Sequence, residues 1–231
     1  MSPSGPVEGQ VFVCRAELRD TPASWVVRSS TELAAGHITT YLQDDVETPD
    51  GKRVTREYLR HPGAVAVIAL DAELRVALVR QYRHPVRHRL VEPPAGLLDV
   101  DGEDYLIGAK RELAEEVGLA AGDWRVLVDL FSSPGMASES MRIYLARDLT
   151  SADAPDGFLF EGEEAEMDAV WAPLDDLVDA VLAGDVHNPN LVSGVLAASA
   201  AQHRGGFDTL RPADAAWPAR DASISPSQGA V

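Results

Sequence analysis

The sequence is poor in cysteine, in basic residues and in long apolar runs. Cys14 is the single cysteine in 231 residues, so neither an intramolecular disulfide nor a metal–thiolate cluster can form. Lys and Arg number 20 against 37 Asp and Glu, giving a formal net charge of −17. No apolar stretch approaches the roughly 20 residues of a membrane span, and no signal peptide is visible. These shortages predict a cytoplasmic protein whose partners are neither nucleic acids nor membranes.

Length and composition predict one α/β domain with additions at both ends. Hydrophobic residues make up 45% and charged residues 25% of the chain, as in globular proteins. A turn sequence, Pro49-Asp50-Gly51-Lys52, indicates an N-terminal hairpin too small to be stable alone. We therefore predict a small antiparallel β element in residues 1–60, a main domain in residues 61–204 and a partly disordered tail in residues 205–231.

The main domain has the pattern of a mixed sheet with helices on both faces. The continuous apolar run Gly63–Leu70 indicates a central strand buried on both sides. Apolar residues in Tyr105–Val117 recur at helical spacing. Further strands are predicted at Val76–Arg80, Trp124–Leu130, Met141–Leu145 and Asp168–Ala172, and closing helices at Leu174–Leu182 and Asn190–His203.

The segment from residue 96 to residue 119, GLLDVDGEDYLIGAKRELAEEVGL, carries the chemistry. On a helix, Glu112, Glu115 and Glu116 share one face at i, i+3 and i+4, opposite the apolar residues. Their mutual repulsion can be offset by a hard divalent cation, which indicates Mg²⁺ with Mn²⁺ as a substitute. The alternative is a solvated acidic face on which Glu103 and Arg111 form a surface ion pair.

This segment resembles the Nudix box, in which a glycine, five residues, a glutamate and seven residues precede REUxEExGU, with U aliphatic. Six residues instead of five separate Gly96 from Glu103, and an insertion in the loop before the helix is tolerated. The resemblance implies a Nudix α/β/α sandwich that binds Mg²⁺ through Glu112, Glu115, Glu116 and the carbonyl of Ala95, with Glu116 among the catalytic residues. Structural roles are implied for Gly96, Glu103, Arg111 and Gly118.

The resemblance is strongest to ADP-ribose pyrophosphatases. Segments around Arg56, His61, Gln81-Tyr82-Arg83 and Glu92-Pro93-Pro94-Ala95-Gly96 are similar, and Pro134 follows Gly118 by sixteen residues, a spacing that in this family accompanies ADP-ribose hydrolysis. The implied reaction yields AMP and ribose 5-phosphate. The residues implied in substrate binding are Arg56, Arg83, Glu92, Pro134 and Glu139. Arg56, Arg83 and Glu139 could instead belong to surface ion pairs.

A general base is implied on a loop well after the box. The acid-rich segment Phe160-Glu161-Gly162-Glu163-Glu164-Ala165-Glu166 is the candidate. Its distance from Trp171 and the form EEAxM favour Glu164, followed by Glu163 and Glu161. The alternative is an acidic loop with no chemical role.

In the resembling family the small N-terminal sheet is exchanged between two subunits, which implies a homodimer. Two rival functions remain. The first is hydrolysis of another nucleoside diphosphate sugar or of a dinucleotide by the same fold. The second is a regulator that binds ADP-ribose without cleaving it, although such modules usually lose box glutamates that this chain keeps.

Overall fold

The computed structural model describes residues 13–100, 102–152 and 167–224. Its N-terminal part is a three-stranded antiparallel sheet in the order β1-β2-β3. The strands are β1 Val26–Ala35, β2 Thr40–Glu47 and β3 Arg53–Arg60. The predicted hairpin is confirmed: Gly51 has φ 78° in the turn, and the Thr48 N–H donates to the Lys52 carbonyl at 2.8 Å. The first strand was not predicted from the sequence.

The main sheet has eight strands and mixed direction. Its main path has the order β10-β5-β4-β9-β8-β11, with β6 beside β5 and β7 beside β4. The parallel pair β4–β9 lies between antiparallel pairs. The strands are β4 Ala64–Leu70, β5 Arg75–Arg83, β6 His88–Glu92, β7 Ala95–Leu97, β8 Leu119–Phe131, β9 Ser140–Ser151, β10 Asp168–Pro173 and β11 Arg211–Pro212.

The helices are α1 Tyr105–Val117, α2 Leu174–Ala183, α3 Pro189–His203 and α4 Pro218–Ile224. The first has the predicted bounds because both ends have local signals: the Asp104 side chain caps the first turn, and Gly118 ends the helix at φ 65°. No helix in the described ranges has the length and hydropathy needed to cross a bilayer.

The core has two sides, separated by β4. Ala66 and Ile68 face one hydrophobic cluster, which includes Leu191 of α3. Val65 and Val67 face a second cluster, which includes Leu113 of α1. Every residue of β4 is buried, as predicted for a central strand. The alternation places α1 and α3 on opposite faces, which confirms the α/β/α sandwich.

Within the predicted C-terminal tail, residues 205–224 pack on the core. They form a 3₁₀ turn, Phe207–Thr209, the short strand β11 and the helix α4. Trp217 is only 3% exposed, and Arg142 of β9 donates to the carbonyls of Ala215 and Ala216 at 2.7 and 3.2 Å. Residues 225–231 lie outside the described part of the chain. The boundaries drawn near residues 60 and 204 stay predictions.

Candidate active site

A cavity of about 780 Å³ lies beside α1, β7 and the N-terminal end of α3. Strand β7 pairs with β4, and β4 pairs with β9, so residues distant in sequence meet here. The predicted residues that line this cavity are Arg83, Ala95, Gly96, Arg111, Glu112, Glu116 and Glu139. The fold therefore brings together one helix face, one strand and two further charged side chains.

Gly96 is required by the close approach of Glu112. A Cβ atom on Gly96 would lie 1.9 Å from Oε1 of Glu112, so any side chain there would displace this carboxylate from the cavity wall. Gly108 shows the same effect less severely, since its Cβ would lie 2.9 Å from Oε2 of Glu103. The two glycines allow the carboxylates of Glu112 and Glu103 to lie close against the backbone.

Arg111 connects three of the acids. Its Nη1 atom donates to Oε1 of Glu112 at 2.6 Å and to Oε2 of Glu115 at 2.9 Å. Its Nε atom donates to Oε1 of Glu103 at 3.3 Å. Burial opposes the charged form, but the hydrogen bonds that Arg111 donates to Glu103 and the charge of Glu112 outweigh it and raise the pKa of Arg111. The guanidinium therefore stays charged and reduces the repulsion within the cluster.

Glu116 is held from the opposite direction. Its Oε2 atom accepts a hydrogen bond from the backbone N–H of Ala95 at 3.1 Å. This hydrogen bond connects α1 to β7. Ala95, which donates it, is also the residue whose carbonyl is predicted to bind a metal ion. Helix and strand are fixed relative to each other at the cavity.

Arg83 and Glu92 form a bidentate ion pair. Arg83 donates from Nε to Oε1 at 2.9 Å and from Nη2 to Oε2 at 2.6 Å. Glu92 is 2% exposed, whereas Arg83 lies on the cavity wall. Two parallel hydrogen bonds of this kind fix the plane of the guanidinium group. Glu92 thus orients a side chain of the cavity wall, and its role in substrate binding stays a prediction.

Glu139 faces a histidine to which the sequence analysis gave no role. The Nε2 atom of His61 lies 3.9 Å from Oε1 of Glu139, and its Nδ1 accepts from the N–H of Gly63 at 3.0 Å. A neutral ring therefore carries its proton on Nε2. Burial lowers the pKa of His61, the Glu139 carboxylate raises it in part, and the charge of Arg220 lowers it again.

Comparison with known proteins settles the family. The model of the NUDIX domain matches residues 60–192 of this chain. The chain belongs to the Nudix family. It is 44% identical over 189 residues to the ADP-ribose pyrophosphatase of Mycobacterium tuberculosis (strain ATCC 25618 / H37Rv), covering 82% of this chain and 89% of that protein. It is 35% identical over 164 residues to the methanol dehydrogenase activator of Bacillus methanolicus, covering 71% and 86%.

A solved structure gives the same result for the Nudix fold. The crystal structure of an ADP compounds hydrolase superposes with a TM-score of 0.66 at 26% identity, covering 82% of this chain and 100% of that one. The resemblance inferred from the box is thus confirmed over most of the molecule.

The Nudix box of this chain has the donor chemistry that Mg²⁺ requires. Glu112, Glu115 and Glu116 offer carboxylate oxygens and Ala95 a carbonyl, which are the hard ligands this cation prefers. A cationic group already lies between Glu112 and Glu115, namely the Arg111 guanidinium. Within the described ranges, no three acidic, His or Cys side chains are drawn together as a ready-made metal site. The residues therefore fit a divalent cation, provided that Arg111 and the cation share the carboxylates.

Several predicted residues lie away from the Nudix cavity. Arg56 is exposed on β3 and donates to the Thr55 carbonyl at 2.9 Å. Pro134 lies in the turn after β8, and this turn is joined to β3 because the Leu59 N–H donates to the Met136 carbonyl at 2.9 Å. Neither residue lines the cavity. Glu161, Glu163 and Glu164 lie outside the described residues.

Several polar residues of the cavity wall were assigned no role from the sequence, although three of them lie in segments that resemble the family. They are His61, Gln81, Asp99, Asn188 and Asn190. Asn188 has a local signal, since its side chain caps α3 just before Pro189, but that signal predicts a helix start and not a site. Apart from Asp99, which lies within the box segment, these residues reach the cavity through packing between segments distant in sequence, which no local spacing reveals.

Proposed function

We propose that this chain is a Mg²⁺-dependent pyrophosphatase that hydrolyses ADP-ribose to AMP and ribose 5-phosphate. The supporting observation is the convergence of Glu112, Glu116 and Arg83 on one cavity. Acidic residues suit metal binding, and a guanidinium fork suits phosphate oxygens. The 44% identical mycobacterial relative is an ADP-ribose pyrophosphatase, which favours this substrate over others of the fold.

The metal ligands proposed are Glu112, Glu115, Glu116 and the Ala95 carbonyl. When bound, the cation polarises a phosphoryl oxygen and lowers the pKa of an attacking water. Arg111 then has a second role, because its hydrogen bonds hold the carboxylates of Glu112 and Glu115 beside a guanidinium that itself lines the cavity. Mn²⁺ is expected to substitute for Mg²⁺, since both favour oxygen ligands.

The chemical step proposed is attack by water on one phosphorus of the diphosphate, the adenosyl one. The oxygen of water forms the new P–O bond, and the bond from that phosphorus to the bridging oxygen breaks. Ribose 5-phosphate leaves with the bridging oxygen, and AMP keeps the oxygen of water. Glu164 accepts the proton released by the water, and Arg83, oriented by Glu92, binds the diphosphate.

A substrate panel tests the proposal. ADP-ribose, GDP-mannose, NADH and 8-oxo-dGTP are incubated with the full chain and Mg²⁺, and products are separated by chromatography. We expect the highest kcat/KM for ADP-ribose, with AMP as the nucleotide product, and no turnover when EDTA replaces Mg²⁺. Faster cleavage of another member of the panel would overturn the substrate while leaving the fold in place.

The second candidate, a regulator that binds without cleaving, is separated by the same panel. Binding of ADP-ribose by calorimetry with no cleavage of any member would favour it. The intact set of box acids favours the enzyme, because a binding module has no need of three carboxylates on one helix face.

We also propose that the protein forms a homodimer and that it is located in the cytoplasm.

A further inference from the structure

A second cavity adjoins the Nudix site and has a different charge. We call it the α4 pocket; its volume is about 600 Å³. The titratable and charged residues in its wall are His37, Tyr58, Arg60, His61, Asp99 and Arg220. Ile38, His61 and Asp99 line both cavities. The chain has a net charge of −17, whereas the wall of this pocket carries two arginines and one carboxylate.

Arg220 is buried without a counter-ion among the residues that the structure describes. The residue is 7% exposed, and its Nη1 donates to Oγ of Ser140 at 2.8 Å. Its Nε atom is buried and has no hydrogen-bond partner in the same ranges. No carboxylate of the described ranges lies within ion-pair distance of Arg220. A guanidinium removed from water without an anion is costly, because each unmet N–H donor loses its hydration.

The aromatic contacts of Arg220 offset only part of this cost. The guanidinium carbon lies 5.4 Å from the ring centre of Tyr105 and 5.6 Å from that of Trp217. Such contacts supply attraction to a cation but no hydrogen-bond acceptor. Arg142, another arginine in this region, is buried as well, yet it has a bidentate partner in Asp129. Within the described part of the chain, Arg220 has no such carboxylate.

The surroundings of Arg220 supply further donors. Arg60, at the end of β3, makes a single hydrogen bond, to Oγ1 of Thr40 at 3.3 Å, and no ion pair with the residues that the structure describes. His61 in its neutral form carries a proton on Nε2, because Nδ1 accepts from Gly63. Since this Nε2 atom faces the Glu139 carboxylate at 3.9 Å, the two guanidinium groups are the donors that match a compact anion with several acceptor oxygens.

We propose that the α4 pocket binds a phosphomonoester dianion through Arg220 and Arg60. The C-terminal helix is thereby part of a ligand site and not only a structural cap. The anion can come from a reaction product, ribose 5-phosphate or AMP, or from free phosphate. The first source rests on the proposed function; the second does not. Because the α4 pocket shares His61 with the Nudix cavity, a phosphate held here lies next to the place where the diphosphate is cleaved.

Calorimetry of the full chain in EDTA tests this site. Without a divalent cation the carboxylates of the Nudix cavity repel phosphate, but Arg83 also lies on that wall, so the loss of affinity in Arg220→Met, and not binding alone, reports the α4 pocket. The probes are inorganic phosphate, ribose 5-phosphate and AMP. We expect one bound anion per chain, with affinity reduced about tenfold or more by Arg220→Met. The matched control is Arg211→Met, which removes a charge from the same segment at the Asp129 ion pair and should leave the affinity within about twofold.

The outcomes answer two questions separately: whether the α4 pocket binds an anion, and which anion it binds. Tighter binding of ribose 5-phosphate or AMP than of phosphate identifies a product pocket, and equal affinities identify a free phosphate site. No binding of any probe, or equal binding by wild type and Arg220→Met, overturns the proposal. If circular dichroism shows Arg220→Met to be unfolded, Arg60→Met replaces it, and unchanged affinity in that variant overturns the proposal. The test involves no turnover, so it stands if the proposed substrate is wrong.

Discussion

At the scale of single residues, the arrangement of arginines determines how an acidic site is built. Arg111 contacts three box glutamates, which lets α1 carry a carboxylate cluster in a folded chain. Arg83 pairs with buried Glu92 and presents the remainder of its side chain to the cavity. The first arginine therefore stabilises the acids proposed to bind metal, whereas the second lies on the wall of the cavity proposed to hold the substrate. Substitution of Arg111 and substitution of Arg83 should therefore change the kinetics of hydrolysis in different ways.

Glu116→Gln tests the metal site. The amide keeps the size of the side chain but loses the charge that a divalent cation requires. We expect kcat/KM for ADP-ribose to fall by about 100-fold or more, beyond the 10- to 100-fold typical of groups that only support a ligand. The control is Glu73→Gln, in the exposed turn before β5, which should keep full activity. A Glu116→Gln enzyme with more than about a tenth of wild-type activity would show that this residue is not a ligand.

Glu164→Gln tests the proposed general base. Loss of a base typically lowers turnover by about 10²- to 10⁴-fold, and substrate binding should change little because the residue acts on water. The matched series is Glu161→Gln, Glu163→Gln and Glu164→Gln, measured as kcat at saturating ADP-ribose and Mg²⁺. We expect only the last to fall into that range. A decrease of less than about tenfold for Glu164→Gln would exclude it as the base, and a large decrease for Glu163 or Glu161 would move the role there.

At the scale of elements, the sequence predicted the helices and strands whose defining signals lie within one short segment, and it did not predict those that depend on tertiary pairing. The bounds of α1 were predictable because the helical period, Asp104 and Gly118 all lie within one short segment. Strand β4 was predictable because a strand buried on both faces is apolar throughout. The short strand β7 was not, since its three residues become a strand only by pairing with β4.

The same division applies to the site. Glu112 and Glu116 could be placed together from the sequence because they share one helix. His61, Asn188 and Arg220 could not, because they meet this region through β4, α3 and the packing of α4. Segments rich in Pro, Ala and Asp gave no periodic signal, so the contribution of α4 was missed. The residues that sequence reasoning missed are those brought in by contacts between distant segments.

Trp217→Ala tests whether the C-terminal segment is part of the core. Trp217 is 3% exposed, packs edge-on against Tyr105 at 5.4 Å between ring centres and lies 4.7 Å from the Arg142 guanidinium. Truncation should lower the free energy of unfolding by about 3–5 kcal/mol, as for other buried aromatic side chains. Denaturant unfolding monitored by circular dichroism measures it. Trp171→Ala is the control, since Trp171 is 47% exposed; equal losses for the two variants would contradict a core role for the segment.

At the scale of the whole molecule, the N-terminal sheet has more apolar surface than a free sheet should expose. Trp25, Val26, Leu33 and Ile38 are each between 45% and 51% exposed. Nearly all of β1 is exposed, and a three-stranded sheet gains little stability by itself. Exposed apolar side chains concentrated on one small element are typical of an interface. This surface supports the homodimer implied by the resemblance, with the sheet of one chain covered by the other.

Sedimentation velocity at micromolar concentration tests that assembly. We expect a single species with twice the mass of one chain, because burying the apolar side chains of β1 against a second copy removes them from water. Leu33→Asp places a charge on the exposed surface of β1 and should shift the protein to a monomer. The control is Leu182→Asp at the end of α2, where the leucine is 75% exposed, and this variant should remain dimeric. A monomeric wild type would remove the dimer from the proposal. A dimeric Leu33→Asp would instead place the interface elsewhere, since a carboxylate cannot be buried against an apolar surface without a large cost.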